Sequence, residues 1–196
     1  MKFVPILAIL PLLLASCREE CRNIPGGYEF VLPAELSPAR DTFRIGDTIR
    51  VVSSFSDEVF ERKTQRAYWL KDFRFYPMTI IRQIDTFPGT GTRGLLNFEV
   101  ILNEKDDYAL YPLSSGALLE GQYTYEDGVY SLSFALIPRH EGLYLLKQGS
   151  SLNPVDKWQS FPGKKCKHTH SSARVALNGG AYNNIEFLRD SPDPHY

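Results

Sequence analysis

The sequence predicts an all-β protein, built as a single β-sandwich of about nine short strands, with a β-barrel as the alternative. The chain of 196 residues carries 11 Tyr and 12 Phe, and aromatic and β-branched side chains suit a pleated, half-buried surface. Its 14 Gly and 13 Pro are spread along the chain. Turn formers at such intervals divide a chain into short strands rather than long helices.

Residues 1–16 have the layout of a secretory signal peptide. Lys2 precedes an apolar run from Phe3 to Leu14, and the small residues Ala15 and Ser16 follow it, which is the order of charge, hydrophobic stretch and cleavage site in such signals. A membrane-spanning helix needs about 20 apolar residues. Because this run is shorter, we interpret it as a cleaved leader and not as a membrane span.

The cleavage region carries a second signal, Leu14-Ala15-Ser16-Cys17, which resembles the lipobox of bacterial lipoproteins. That resemblance implies that Cys17 is acylated and becomes the first mature residue, so that acyl chains hold the protein on a membrane without a spanning helix. We therefore expect a lipidated tether over residues 17–27 and a folded domain over residues 28–196. Arg18, and not Asp, follows Cys17, which by the pattern of bacterial lipoproteins implies the outer membrane. Arg18-Glu19-Glu20 resembles the export tag of Bacteroidetes-type surface lipoproteins, which implies display on the cell surface.

The two cysteines that remain after lipidation, Cys21 and Cys166, are expected to form a disulfide in an oxidising envelope. Such a bridge would close a loop of about 145 residues and contribute on the order of 4–5 kcal/mol. The alternative is a pair of separate thiols. The formal net charge of −1 gives no field that would gather nucleic acid, so we expect no nucleic-acid partner.

Strand patterns follow one another along the domain, beginning at Tyr28–Leu32. After the Gly46-Asp47 turn, Ile49, Val51 and Phe55 are predicted on one strand face. The segment 58–65 is predicted to be a loop or one short helix. Further strands are predicted at 67–76, 78–86, 95–102, 118–125, 129–137, 142–147, 173–177 and 185–188.

Two of these predictions carry specific assignments. Asp127-Gly128 between apolar runs is a strong hairpin signal, and the second arm places its alternate apolar residues on one face: Tyr130, Leu132, Phe134 and Leu136. In 95–102 the predicted inward residues are Leu96, Phe98, Val100 and Leu102. The preceding Gly89–Gly94 matches G-x-G-x-x-G, but a dinucleotide site requires a following helix, so we interpret it as a loop.

Two short stretches resemble immunoglobulin-like modules of bacterial envelope proteins. One is Asp41–Ile49, which is similar to an opening hairpin, and the other is Gly142-Leu143-Tyr144, which is similar to the entry of a late strand. This resemblance implies an immunoglobulin-like β-sandwich.

The motif Cys166-Lys167-His168-Thr169-His170 is the one ligand-like cluster. His168 and His170 would point to the same side of a strand and could share Zn²⁺ or Cu²⁺. No third ligand is evident nearby, so polar loop histidines are the favoured interpretation and we expect no cofactor. The acidic turns at 104–107 and at Asp190 with Asp193 lack the order of a calcium loop.

No G-x-S-x-G or H-E-x-x-H motif occurs in the sequence, so we expect a protein that is not an enzyme. The aromatic group within 68–76 has two interpretations: core packing, which is favoured, or an exposed face that stacks sugar rings or grips a protein loop. Tyr68, Trp69 and Trp158 are therefore the candidate ligand-binding residues.

Together these features predict a membrane-anchored envelope lipoprotein that acts as a non-catalytic binding or structural module, with an envelope protein or a glycan as partner. The chain resembles the small envelope lipoproteins of Bacteroidetes-type bacteria. A glycan-active enzyme, an accessory glycan-binding protein and a metal-binding envelope protein remain the alternatives.

Overall fold

The computed structural model describes residues 27–85, 91–151 and 171–180. These residues form twelve strands and two short 3₁₀ helices, Gly91–Asn97 and Asn178–Gly180. The strands are β1 (Tyr28–Ser37), β2 (Ile49–Ser56), β3 (Glu58–Glu61), β4 (Arg66–Trp69), β5 (Tyr76–Gln83), β6 (Phe98–Leu102), β7 (Tyr108–Leu113), β8 (Gly116–Gly121), β9 (Thr124–Glu126), β10 (Val129–Pro138), β11 (Tyr144–Ser151) and β12 (Ser171–Leu177).

Strand β1 joins the strands into one sheet with the order β6-β10-β2-β1-β12-β11-β5-β8-β7. One edge of β1 pairs in parallel with β12, and its other edge pairs with β2 near Ser37 and with β3 near Phe30. The sheet is nearly closed and barrel-like. The all-β class is thus confirmed, and of the two predicted architectures the barrel alternative fits this sheet.

The strand directions define two ends of the barrel, the Gly27 end, where β1 begins, and the Ser37 end, where β1 finishes. The turn between β3 and β4 lies at the Gly27 end, because Glu61 pairs with Phe30 and the Arg62 amide donates to the Glu29 carbonyl. β12 is parallel to β1, and the four following pairs (β12–β11, β11–β5, β5–β8 and β8–β7) are antiparallel. Because the direction reverses four times, β7 runs in the same direction as β1. The turn between β7 and β8 therefore lies at the Ser37 end.

The barrel is open along a seam between β6 and β7, which are the two ends of the strand order. The turn that joins these strands crosses to β9 and β10, where the Asp106 carboxylate accepts hydrogen bonds from the Ser133 amide (2.9 Å) and the Thr124 hydroxyl (3.1 Å). The Asp107 carbonyl accepts one from the Gln122 amide (2.6 Å). In the acidic turn at 104–107, Asp106 and Asp107 thus hold the seam together.

The core is largely aromatic. Phe30, Phe75 and Tyr130 are fully buried, and the rings of Phe75 and Tyr130 meet edge to face with centroids 5.2 Å apart, a favourable geometry for aromatic pairs. Core packing, the favoured interpretation of the aromatic group, is confirmed for Phe73 and Phe75, which are 4% and 0% exposed.

The Asp127-Gly128 hairpin is confirmed. Both residues have positive φ, 49° and 81°, as a tight two-residue hairpin turn requires, and Glu126 pairs with Val129 across it. The four residues predicted on the inner face of β10 are buried. The predicted face of β2 is also confirmed, with Ile49 and Val51 buried and Phe55 packed against the core.

The single strand predicted over 67–76 is wrong. β4 ends at Trp69 and β5 begins at Tyr76, with Asp72 between them at a φ of 55°. The Tyr130 hydroxyl holds this break, because it donates to the Leu70 carbonyl (2.5 Å) and accepts from the Phe73 amide (2.7 Å). A contact from a strand 60 residues away thus overrides the local β propensity.

We expect Tyr130→Phe to lower the free energy of unfolding by about 2 kcal/mol, because two buried backbone groups would each lose one hydrogen bond and keep only the longer bond from the Phe73 amide to the Leu70 carbonyl (3.2 Å). Tyr125→Phe is the matched control, since its half-buried hydroxyl donates only to the Asp57 carboxylate (2.9 Å) and should cost about 1 kcal/mol. Urea unfolding of both variants measures the difference. Equal losses would show that Tyr130 does not hold the break.

The loop or short helix predicted over 58–65 is also wrong, because residues 58–61 form β3 and only 62–65 form a turn. The inward position of Glu61 hid the alternation, since a charged residue occupies a place that apolar residues normally fill. For 95–102, the strand begins only at Phe98, after the 3₁₀ helix. The helix buries Leu95 and leaves Leu96 59% exposed, so the predicted inward position of Leu96 is wrong.

Gly94, the last glycine of the G-x-G-x-x-G motif, has a packing role in this helix. A Cβ there would lie 2.7 Å from the Ile81 carbonyl oxygen of β5, so only glycine lets the two backbones approach.

The predicted first arm over 118–125 ends at Gly121, and β8 pairs with β5 and with β7, a strand that the sequence did not predict. The strand predicted at 185–188 lies outside the described residues.

Candidate functional site

Most of the predicted site residues lie outside the described part of the chain. These are Cys17, Cys21, Trp158, Cys166, His168 and His170. The lipid anchor, the disulfide and the metal site therefore stay predictions. Among residues 27–85, 91–151 and 171–180, no group of three or more His, Cys, Asp or Glu is placed to hold a metal ion.

The two predicted ligand-binding residues that the structure describes lie on opposite faces of β4. Trp69 is 62% exposed. Tyr68 faces inward, where its ring packs edge-on against Tyr28 and Phe30, with centroids 5.5 Å and 6.3 Å apart. Its hydroxyl donates to the Thr64 hydroxyl (3.2 Å). Trp69 can thus meet a partner in solution, whereas Tyr68 belongs to the core.

Trp69 shares its outward face with three residues of the β3–β4 hairpin, and we call this group the aromatic face: Glu58, Phe60, Ala67 and Trp69. Glu58 pairs with Trp69 and Phe60 pairs with Ala67, so the two rings are diagonal neighbours, about 7–8 Å apart at their Cα atoms. Phe60 is 42% exposed. Since Ala67 is small, the two rings present an open surface.

The opposite side of the hairpin is fixed by a buried carboxylate. Glu61 is fully buried and accepts hydrogen bonds from the Glu29 amide (2.8 Å), the Lys63 amide (3.0 Å), and the Thr64 amide and hydroxyl (both 2.6 Å). Burial alone raises the pKa of this carboxyl, but the Thr64 hydroxyl and the three amides outweigh burial and hold the pKa below its ordinary value of 4.5. Glu61 therefore stays charged and closes the turn.

Cations surround the tip of this hairpin at the Gly27 end. Lys63 Nζ donates to the Gly27 carbonyl (2.7 Å), and Arg62 pairs with Glu29 (2.7 Å). The hydrogen bond from Arg62 lowers the pKa of the Glu29 carboxyl. Arg66 begins β4 and is exposed. The hairpin tip is thus bonded to the point where the chain enters the domain.

A second candidate surface lies on the β7–β8 hairpin. Residues 108–119 contain no charged side chain, although 23% of the whole chain is charged, and we call them the uncharged hairpin. Residues 109–113 of β7 are all exposed, with Leu110 at 43%, Tyr111 at 45% and Leu113 at 42%. Among the described residues β7 pairs only with β8. The run without charge was the sequence signal for this surface, and the strand analysis missed it.

Polar groups inside the barrel serve packing. The Tyr108 hydroxyl lies 2.6 Å from Thr79 Oγ1 and donates to the Leu119 carbonyl (3.2 Å), while Thr79 also donates to Gln148. Burial raises the pKa of Tyr108, and it raises the pKa of Tyr123 to about 12. Both phenols remain protonated at neutral pH, and the Tyr108 hydroxyl acts as a hydrogen-bonding group of the core.

Within the described ranges, no helix combines the length and apolar character needed to cross a membrane. Comparison with known proteins gives no match to a family model, to a curated protein or to a solved structure.

Proposed function

We propose that the chain is an outer-membrane lipoprotein, held by acyl chains on Cys17 and displayed on the cell surface, whose domain is a non-catalytic binding module. Its partner surface is the uncharged hairpin, and its partner is an envelope protein that contributes an extended, uncharged segment. The exposure of residues 109–113 on a sheet-edge strand is the observation that carries this proposal.

An edge strand offers a row of backbone donors and acceptors, and an extended segment can pair with them to lengthen the sheet. Soluble proteins usually protect such an edge with charged side chains, but β7 has none. Of its residues only Pro112, which has no backbone N–H, interrupts the row of donors. Charge matching favours a partner strand that is also uncharged, with apolar side chains that cover Tyr111 and Leu113.

The strand directions support this placement of the partner. The proposed tether joins the domain at the Gly27 end, whereas the β7–β8 turn lies at the Ser37 end. A tether from Cys17 to Gly27 reaches at most about 35 Å when fully extended. A domain standing on this tether presents the uncharged hairpin away from the bilayer, where a protein of the envelope can reach it.

Replacing Cys17 with Ser tests the anchor. Without the sulfur that carries the acyl chains, we expect the protein to move from the membrane fraction to the soluble fraction when membranes are washed at high salt, because the acyl chains are the strong hold on the bilayer and salt screens any contact between charged groups of the domain and the lipids. Immunoblotting of fractionated cells measures this. Detection of intact, unmodified Cys17 by mass spectrometry of the membrane-bound protein would overturn the anchor.

A photo-crosslinking residue at Tyr111 tests the binding surface in living cells. We expect one discrete adduct with a protein, lost when Leu113 is replaced by Lys, since a buried charge would oppose pairing at an uncharged edge. The same crosslinker at Val52, which is 43% exposed on β2, is the control. Equal adducts at both positions, or no adduct at Tyr111, would contradict the proposed surface.

A further inference from the structure

We infer that the aromatic face and the cationic tip of the β3–β4 hairpin (Arg62, Lys63 and Arg66) dock on the lipid bilayer that carries the anchor. The two rings would lie at headgroup level and the cations on lipid phosphates. This inference rests on the proposed anchor at Cys17, and it adds a second, specific contact between domain and membrane. The hairpin would then orient the domain, with the Ser37 end directed away from the bilayer.

The hairpin tip lies where the proposed tether joins the domain. Lys63 Nζ is bonded to the Gly27 carbonyl, and the Arg62 amide to the Glu29 carbonyl, so the hairpin tip sits where the tether leaves the domain. A tether of this length keeps that point within about 35 Å of the acylated sulfur. The bilayer is therefore the one large partner that is always close to this hairpin.

The exposed side chains of the aromatic face suit the headgroup region of a bilayer. Trp is enriched at membrane–water interfaces, because its large ring favours the headgroup region and its N–H can still bond there. Trp69 is 62% exposed and Phe60 is 42% exposed on the same face. Exposure of two large rings on a hairpin of this size is costly in water, and a bilayer surface would cover both.

The charges of the hairpin tip favour an anionic lipid surface. Residues 62–66 hold three cations, Arg62, Lys63 and Arg66, and no acid, and cations close to anionic headgroups are attracted to them. The nearby acids are Glu61, whose charge is buried among four donors, and Glu29, which is paired with Arg62. The three cations exceed these two carboxylates by one, so the tip keeps a net positive charge. Glu58 is the acid of the aromatic face itself; it pairs directly with Trp69, at the end of β3 away from the cationic tip.

The core holds the backbone of this hairpin in place. Val59 is buried beneath it, and Glu61 fixes the turn with four hydrogen bonds. Because the backbone that carries the rings and cations is already ordered, it loses little conformational entropy when the hairpin docks.

The test uses residues 18–196, which carry no acyl group, and measures their co-sedimentation with vesicles. We expect binding to vesicles that contain phosphatidylglycerol and much weaker binding to phosphatidylcholine alone, with a loss of binding as salt rises. Trp69→Ala should weaken binding on the order of tenfold. Arg66→Glu should abolish the preference for phosphatidylglycerol. Ile45→Ala and Arg44→Gln, exposed residues near the Ser37 end, are the controls and should change nothing.

Fluorescence gives a direct readout in a Trp158→Phe background, where Trp69 is the remaining indole. We expect a blue shift of its emission with phosphatidylglycerol vesicles. The docking would be overturned if the chain with Trp69 showed no binding to phosphatidylglycerol vesicles, or if Trp69→Ala bound them as strongly as the unchanged chain. A soluble neutral polysaccharide that shifts the emission without vesicles would also overturn it, in favour of a glycan site. Because this chain is not acylated, failure here leaves the Cys17→Ser test of the anchor intact.

Discussion

Gly121→Ala should lower the free energy of unfolding by about 3 kcal/mol, equivalent to a fall in Tm of roughly 6–12 °C. Gly121 ends β8 opposite Tyr108. A Cβ at this position would overlap the Asp107 carbonyl oxygen and lie 2.7 Å from the Asp107 carbonyl carbon and 2.8 Å from the Tyr108 Cα. All three atoms belong to the backbone, so no rotation of a side chain can relieve the overlap.

The expected loss is large because the displaced backbone belongs to the seam of the barrel. Asp107 accepts the Gln122 amide, and the adjacent Asp106 binds Ser133 and Thr124. Moving this turn away from an added methyl group would stretch all three hydrogen bonds at once. The substitution therefore tests whether the open edge of the sheet depends on the turn between β6 and β7.

Gly149→Ala is the matched control. Gly149 also lies inside a strand, but a Cβ there would meet only the Met78 carbonyl oxygen, at 3.9 Å, which is ordinary contact. We expect a change within about 0.5 kcal/mol. Thermal unfolding followed by circular dichroism compares the two variants. Similar stabilities of the two variants would mean that the turn between β6 and β7 can move away from the added methyl group without a loss of unfolding free energy.

The sequence allowed a good part of the fold to be predicted where a local pattern was enough. The alternation in β10 and the Asp127-Gly128 turn depend on neighbouring residues only, and the structure confirms both. The first predicted strand, Tyr28–Leu32, also agrees with the structure, in which β1 begins at Tyr28. By contrast, the break between Trp69 and Tyr76 depends on a hydroxyl from Tyr130, and no local pattern contains that information.

The candidate surfaces were harder to predict for a related reason. Alternation places Tyr68 and Trp69 on opposite faces of a strand, but it does not say which face is the core, since both rings are apolar. Register settled the question, because Val59 and Glu61 of the partner strand point inward with Tyr68. The exposed strand β7 lacks alternation altogether, since its last five residues are exposed on both sides of a sheet edge.

Glu61→Gln is expected to destabilise the folded domain by about 2–4 kcal/mol near neutral pH. The carboxylate accepts four hydrogen bonds, three of them from backbone amides. A side-chain amide would turn an NH₂ group towards donors that need an acceptor. Glu58→Gln is the matched control on the same short strand, because Glu58 is exposed, and its loss should be within about 0.5 kcal/mol.

The pH dependence separates the charge of Glu61 from its shape. The folded pKa of this carboxyl lies below its ordinary value of 4.5, so its charge stabilises the fold fully above that value. As the pH falls below 4.5 and through the folded pKa, the carboxyl takes up a proton and this contribution is lost. The stabilities of wild type and Glu61→Gln should therefore converge in acid, as measured by urea unfolding over a pH series. A stability difference between wild type and Glu61→Gln that stays constant with pH would show that Glu61 acts through packing. The hairpin that bears Trp69 would then not depend on the charge of this carboxylate.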